Sequence, residues 1–302
     1  MQGHGPRGRD GGSARAIVIS LLRGVCQIPA YVAHERGFFA DAGVETRLQL
    51  EPTAWTAPRA LLNGEAQCAV IPWTRAALAA ARGEGLVVVC GSGCEEAAVV
   101  VRRDIDVSEV RRVCVPLRGG MKDLTAMALI DSLGWQDAQV MRQPSGDGTI
   151  IALFGEGCDA ASMVEPYATM MEALGIGRVV RRTGDVWPGA PGCSLTTTTE
   201  LRDSHPDLVA AVVVAFIRGI EFTHENTAEA ARIASGYIGV HARFIEAALA
   251  RNQPDAGAIR NASAMEQILS LMLELGYASR RPSGFADLSF LDRVPQMTPS
   301  RP

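Results

Sequence analysis

What this sequence lacks narrows it first. No apolar run reaches the ~18 residues that a membrane-spanning helix needs, so no membrane insertion is expected. The formal net charge is −4 and no stripe of lysine and arginine appears. Phosphate-backbone binding needs clustered positive charge, so nucleic acid is not expected as a partner. Aromatic residues make up only 5% of the chain, with 4 tryptophans among them. Cysteine is sparse: Cys26, Cys68, Cys90, Cys94, Cys114, Cys158 and Cys193. The count is odd, no CxxC pair occurs and the chain is not small, so a disulfide framework is not expected. Cys90 and Cys94 lack a second ligand pair, so no zinc site is expected there, and no metal or cofactor is expected elsewhere. An export signal is also missing. IVISLL, from Ile17, is shorter than the ~7–15 residues of a signal h-region, and no small-residue cleavage site follows. Read as a first strand, it leaves the chain cytoplasmic as written; a longer N-terminus would make it periplasmic or extracellular. Residues 1–15, MQGHGPRGRDGGSAR, are rich in Gly and Arg and are expected to be a disordered tail.

What is present is an ordinary soluble balance, 47% apolar and 21% charged over 302 residues, enough for one large or two medium domains. Strand and helix signals alternate. AIVISLL is an unbroken apolar run, as a strand covered on both faces would be. IPAYVAHERGFFADAG reads as one helix stopping at Gly43, and VETRLQL alternates as a strand. The helix APRALLNG, strand AQCAVI, helix WTRAALAAARG and strand LVVVCGSG follow. A second series runs VRRVCVPL, DLTAMALIDSLG, QVMRQPS, GTIIALFG, CDAASMV, YATMMEALG and RVVRRTG. Such βαβ order implies an α/β fold of mostly parallel sheets flanked by helices. Four helical stretches from LVAAVVVAFIRG to SAMEQILSLMLELG close the chain. One unit recurs: RALLNGEAQCAVI in the first series and IALFGEGCDAASM in the second, each at the same point of its series. It is read as the mark of two similar lobes.

YVAHERGFFADAGVE resembles the signature stretch of the NMT1/SsuA-like group of solute-binding proteins for sulfonates, nitrate and thiamin precursors. The likeness extends through ALLNGEAQCAV, GGMKDLTAMALIDSLGW, ALFGEGCDAASMVEPYATMMEALG and HPDLVAAVVVAFIRGIEFTHEN, roughly residues 16–235. It implies a two-lobed type II periplasmic-binding-protein-like fold with a ligand cleft between lobes that close by hinge motion. The two crossing strands are expected near 99–104 and 192–198. Lobe one would then comprise 16–100 plus 196–302, and lobe two 101–195.

In open α/β sheets ligands sit at the carboxyl ends of strands. That rule selects Cys26 and Gln27 after the first strand, Trp55 after the second, Trp73, Thr74 and Arg75 after the third, and Ser92 after the fourth. In the second series it selects Gly119, Gly120 and Met121, then Ser145, then Glu165. Gly119-Gly120 opens a helix, where an anion is favoured by about 0.3–1 kcal/mol; a tight βα turn is the other reading. Arg75 either grips a carboxylate, sulfonate or sulfinate through paired hydrogen bonds or lies on the helix surface. Trp55 and Trp73 would sandwich a flat or apolar ligand body. For Glu165 the preferred role is capping the helix behind it, over accepting from a ligand. Cys26 is either a small apolar filler or a nucleophile whose thiolate Arg75 or a helix N-terminus favours. RGVCQIPA and WTRAALAAARGEGL are similar to segments of the biphenyl-sulfinate desulfinase branch of this fold, which implies a catalytic Cys26 and a sulfinate-binding Arg75. The histidine that branch would place in EPTAWTAP is absent, as is the cysteine-rich iron motif of the thiamin-pyrimidine synthases. All five histidines stand outside the expected cleft loops.

Two functions follow. The first is a solute-binding protein, without cofactor, that captures a small anionic molecule, aromatic or not, such as a sulfonate, carboxylate or pyrimidine, with an ABC permease as a candidate partner. The alternative is a cytoplasmic enzyme using Cys26 as nucleophile or acid/base and Arg75 as anion anchor.

Overall fold

The computed structural model describes residues 16–297; the expected tail 1–15 lies outside them. The chain opens with β1 (Ile17–Leu21), α1 (Ile28–Glu35), α2 (Phe38–Asp41) and β2 (Thr46–Leu50). Then come α3 (Thr56–Leu62), β3 (Cys68–Pro72), α4 (Trp73–Ala81) and β4 (Leu86–Gly91). A second series holds β5 (Ala97–Arg102), β6 (Arg112–Pro116), α5 (Met121–Leu129), β7 (Gln139–Gln143), α6 (Gly146–Phe154), β8 (Ala160–Val164), α7 (Tyr167–Ala173) and β9 (Gly177–Arg182). After β10 (Cys193–Thr198) the chain is helical: α8 (Thr199–Ser204), α9 (Pro206–Glu225), α10 (Thr227–Ile238), α11 (Ala242–Leu249), α12 (Ala262–Glu274) and α13 (Ser289–Met297).

The strands form two five-stranded sheets of the same design, in the orders β2-β1-β3-β10-β4 and β7-β6-β8-β5-β9. In each, one strand runs against the other four: β10 is antiparallel to β3 and β4, and β5 to β8 and β9. Each of these two strands is the first that the chain adds after passing over from the opposite sheet, so the second sheet is built from one continuous segment and the first from two. The repeated stretch explains the likeness. α3–β3 and α6–β8 occupy equivalent places, with β3 beside β1 and β8 beside β6. β3, β4 and β8 are buried along their whole length, which is why their sequences are almost wholly apolar, Ser162 of β8 apart. β2 and β7 are edge strands and only partly buried.

Two expectations need correction. The passages between sheets lie at 92–96 and 183–192, ahead of the expected crossings; 99–104 mostly belongs to β5 and 192–198 to β10. A buried antiparallel strand is as apolar as its parallel neighbours, so direction leaves no trace in composition. The stretch IPAYVAHERGFFADAG is also not one helix. Gly37 adopts φ 74°, the left-handed region open to glycine, and α1 breaks there from α2. The break drives Phe39 into the core and sets Phe38 edge-on against Phe222 at 6.0 Å between ring centroids. α9 packs closely on α1: a Cβ at Gly219 would stand 2.2 Å from the Pro29 carbonyl oxygen.

Candidate functional site

The carboxyl ends of β1 and β3 meet the N-termini of α5 and α6 across the interlobe gap. They enclose a cavity with about 800 Å³ of empty space, open solvent at its mouth included. One wall carries Cys26, Gln27, Trp55 and Arg75; the other carries Gly120, Met121 and Ser145. Seven of the residues selected from sequence are thus brought together.

Arg75 dominates the chemistry. It lies in the first turn of α4 and is 6% exposed. Its guanidinium stacks on Trp55, with Cζ 3.8 Å from the ring centroid, a cation–π arrangement. Its Nε has no hydrogen-bond partner. Burial lowers the guanidinium to about 10, opposed by the field of Asp123. That carboxylate is engaged elsewhere: it accepts from Arg142 and, at 2.8 Å, from the backbone N–H of Gly119. Gly119, at φ 90°, is required by this packing. A Cβ there would meet Leu78 at 2.7 Å and Arg75 Nη1 at 3.4 Å. The expected helix N-terminus is therefore real, but its Gly119 N–H is already taken by Asp123. Gly120 and Met121 face the cavity.

The other selected residues hold the walls in place. The Thr74 hydroxyl donates to the Gly119 carbonyl at 2.8 Å, a direct bond between lobes. The Ser92 hydroxyl donates to the Cys26 carbonyl at 2.5 Å. The Ser145 hydroxyl, though at the cavity edge, caps α6 by accepting from Gly148 N–H at 3.1 Å. Glu165 has the capping role preferred from sequence: one oxygen accepts from Thr169 N–H at 3.0 Å, and the other from Arg182 at 2.7 Å. Trp73 does not line the cavity. It is fully buried, stacks on Phe285 at 5.7 Å and donates its indole N–H to the Pro191 carbonyl at 2.9 Å. The first residue of α4 turns its side chain into the core while the third faces the gap, which a strand-end rule cannot distinguish.

Cys26 has surroundings that oppose an activated thiolate. Burial pushes its thiol up; hydrogen bonds from Cys193 and Gln27 lower it, and the Glu96 carboxylate raises it again. Cys193 is raised well above the usual range, by burial first and then by Cys26 and Glu96. Glu96 and Cys193 both line the cavity and went unselected, because they lie in and just after the two interlobe passages, where no strand-end rule looks. Lys122, in the first turn of α5, is not among the residues selected from sequence. It lines the cavity too, and burial lowers its ammonium while Cys193, Glu96, Asp147 and Cys26 raise it. The readable signal was its rarity: it is the one lysine in the chain. A Cβ at Gly146 would stand 2.3 Å from its Nζ, so glycine there makes room for the amine.

Two lobes, each built on a five-stranded sheet with one antiparallel strand, and a partly polar cavity between them define the class: a two-lobed, periplasmic-binding-protein-like α/β fold. The chain belongs to the NMT1-like family, whose model matches residues 11–237. No curated protein matches it. Among solved structures, it is similar to the ligand-binding component of an ABC-type import system from Staphylococcus aureus with zinc bound. Identity is 17% and the TM-score 0.80, over 92% of this chain and 98% of that one. The nitrate-binding protein NrtA from Synechocystis is 14% identical at a TM-score of 0.80, covering 94% of this chain and 89% of its own. The alkanesulfonate-binding protein SsuA from Xanthomonas axonopodis pv. citri, bound to MOPS, is 12% identical at 0.76, covering 88% and 95%. At these identities the likeness is one of fold.

Proposed function

We propose that this chain is a solute-binding protein that captures a small organic anion between its lobes. One observation carries the reading: Arg75 is a buried guanidinium stacked on Trp55, its Nε unpaired and its neighbouring carboxylate bonded elsewhere. Leaving a charge desolvated without a partner costs several kcal/mol, and an arriving anion removes that cost. Trp55, 40% exposed, offers an aromatic face to the ligand's apolar or flat part. Sulfonates and carboxylates match the fork of donors best, in keeping with the anions bound by the structurally similar sulfonate and nitrate receptors. A permease of the ABC type is the partner such a receptor serves. The lobes are proposed to close about the passages at 92–96 and 183–192. The enzyme alternative is the less supported reading, since burial pushes the Cys26 thiol up.

Calorimetry against alkanesulfonates, nitrate and small carboxylates tests this. A binding anion is expected, with Arg75→Ala weakening it more than about tenfold, or about 1.4 kcal/mol. Arg75→Lys should recover only part of the loss, because an ammonium keeps the charge without the planar fork. Affinity unchanged in Arg75→Ala would remove the residue from the site and the reading with it.

A further inference from the structure

Anion capture by Arg75 leaves one cluster in the cavity unused. Cys26, Glu96 and Cys193 come from three separate places: the loop after β1, the end of the first interlobe passage, and the start of β10. Their ligand-type atoms all lie within 4.8 Å of one another. Cys193 Sγ donates to one Glu96 oxygen at 3.2 Å. The other oxygen, Oε2, is buried with no hydrogen-bond partner, in a residue only 3% exposed. A buried, unpaired carboxylate oxygen is costly and calls for an explanation.

The carboxylate also sits in a built cradle. A Cβ at Gly93 would stand 2.0 Å from Oε2, and one at Gly192 2.4 Å from Cδ. Those glycines lie on the two passages, which run side by side; Gly192 N–H donates to the Gly93 carbonyl at 2.8 Å. Gln27 Nε2 donates to Cys26 Sγ at 3.2 Å, the kind of hydrogen bond that orients a ligating sulfur.

We propose that Cys26, Cys193 and Glu96 form a site for a thiophilic divalent transition-metal ion of the zinc type, its fourth position left to water or to the captured solute. The donor set suits the ion: two thiolates and a carboxylate are established zinc ligands, and three protein ligands with one open position are common in functional zinc sites. Tetrahedral ligands at zinc distances stand about 3.5–3.8 Å apart, so the three groups need to draw together by at most about 1 Å. On binding, each thiol gives its proton to solvent and its sulfur lone pair to the ion. Two thiolates, one carboxylate and a divalent ion leave a single negative charge. Lys122, which lines the same cavity as the three groups, is the side chain placed to balance it when protonated. As an ammonium it has no lone pair to donate, so it serves as counter-charge and not as ligand. The ion would join the loop after β1 to both interlobe passages.

The test uses the full chain under reducing conditions, with Co²⁺ as a spectroscopic probe and Zn²⁺ as competitor. The expected result is one equivalent of Co²⁺ with a thiolate-to-cobalt charge-transfer band, lost on adding Zn²⁺. Cys26→Ser and Cys193→Ser should each weaken Zn²⁺ by about 100-fold or more, and Glu96→Gln by about tenfold or more. Cys114→Ser and Cys158→Ser, in the buried thiol pair of the second lobe, should change nothing. A cobalt complex of the unsubstituted chain without the thiolate band overturns the proposal, and needs no variant to fold. Binding that survives Cys26→Ser and Cys193→Ser, or that Cys114→Ser removes, overturns it equally. Arg75→Ala should weaken anion binding more than about tenfold and leave the cobalt band intact, so failure of this site and failure of the anion reading are separable.

Discussion

Arg75 and Trp55 act as one unit. The guanidinium carbon lies 3.8 Å from the centroid of the indole ring, a contact that restrains both side chains. Cation–π contacts contribute about 0.5–2 kcal/mol, more as they are desolvated. Trp55→Ala is therefore expected to weaken anion binding about 2–30-fold while the fold is retained; calorimetry beside a thermal melt checks both halves. Much of this pair was legible in the sequence, because strand ends mark cavities and tryptophan is scarce. Trp73 satisfied the same two criteria and is a core residue, since helical phase, not strand position, decides which way the first turn of α4 points. Glu96 and Cys193 were illegible for another reason: nothing local shows that residues 97 apart share a hydrogen bond.

At the scale of elements, the caps carry the second lobe. Glu165 begins α7, Ser145 begins α6, and Asp159 closes the start of β8 against β6. Asp159 accepts from the backbone N–H groups of Arg111 and Arg112 at 3.0 and 2.8 Å and from the Arg112 guanidinium at 2.9 Å. Burial pushes its carboxyl up, but those bonds outweigh it and hold the group below its ordinary value. A folded carboxyl below its unfolded value stabilises fully above the unfolded pKa of about 3.9, and that stabilisation is lost as pH falls through the folded one. Asp159→Asn is expected to cost about 1–3 kcal/mol at neutral pH and to flatten the acid limb of the stability curve below about pH 5. Urea melts at stepped pH check this; an unchanged acid limb would show that Asp159 is not its source.

At the scale of the whole molecule, the proposed function rests on the distance between the lobes. Two of the direct bonds across the gap are Thr74 Oγ1 to the Gly119 carbonyl, and Val25 N–H to the Glu165 carbonyl at 3.0 Å. Such bonds exist only with the lobes together, so their loss shifts population toward an open form. Thr74→Ala removes a hydrogen bond with a net value of about 0.5–1.5 kcal/mol. Anion affinity should fall about 2–10-fold without loss of any group that touches the ligand. Small-angle scattering should show the radius of gyration shrinking on anion binding, and the unliganded variant more expanded than the unsubstituted chain. An unliganded variant no larger than its parent would mean that this bond does not hold the lobes.

Taken alone, the chain's order of residues determined the elements, their alternation, the doubling of one supersecondary unit and most of the strand-end loops. Periodicity, caps and glycine stops act over a few residues, and such information is local. Tertiary structure alone decided which strand of each sheet runs antiparallel, that Trp73 faces inward while Arg75 faces the gap, and that Cys26, Glu96 and Cys193 meet. Those outcomes depend on contacts between distant segments, whose geometry is set by packing across the whole fold and not by any neighbour in sequence.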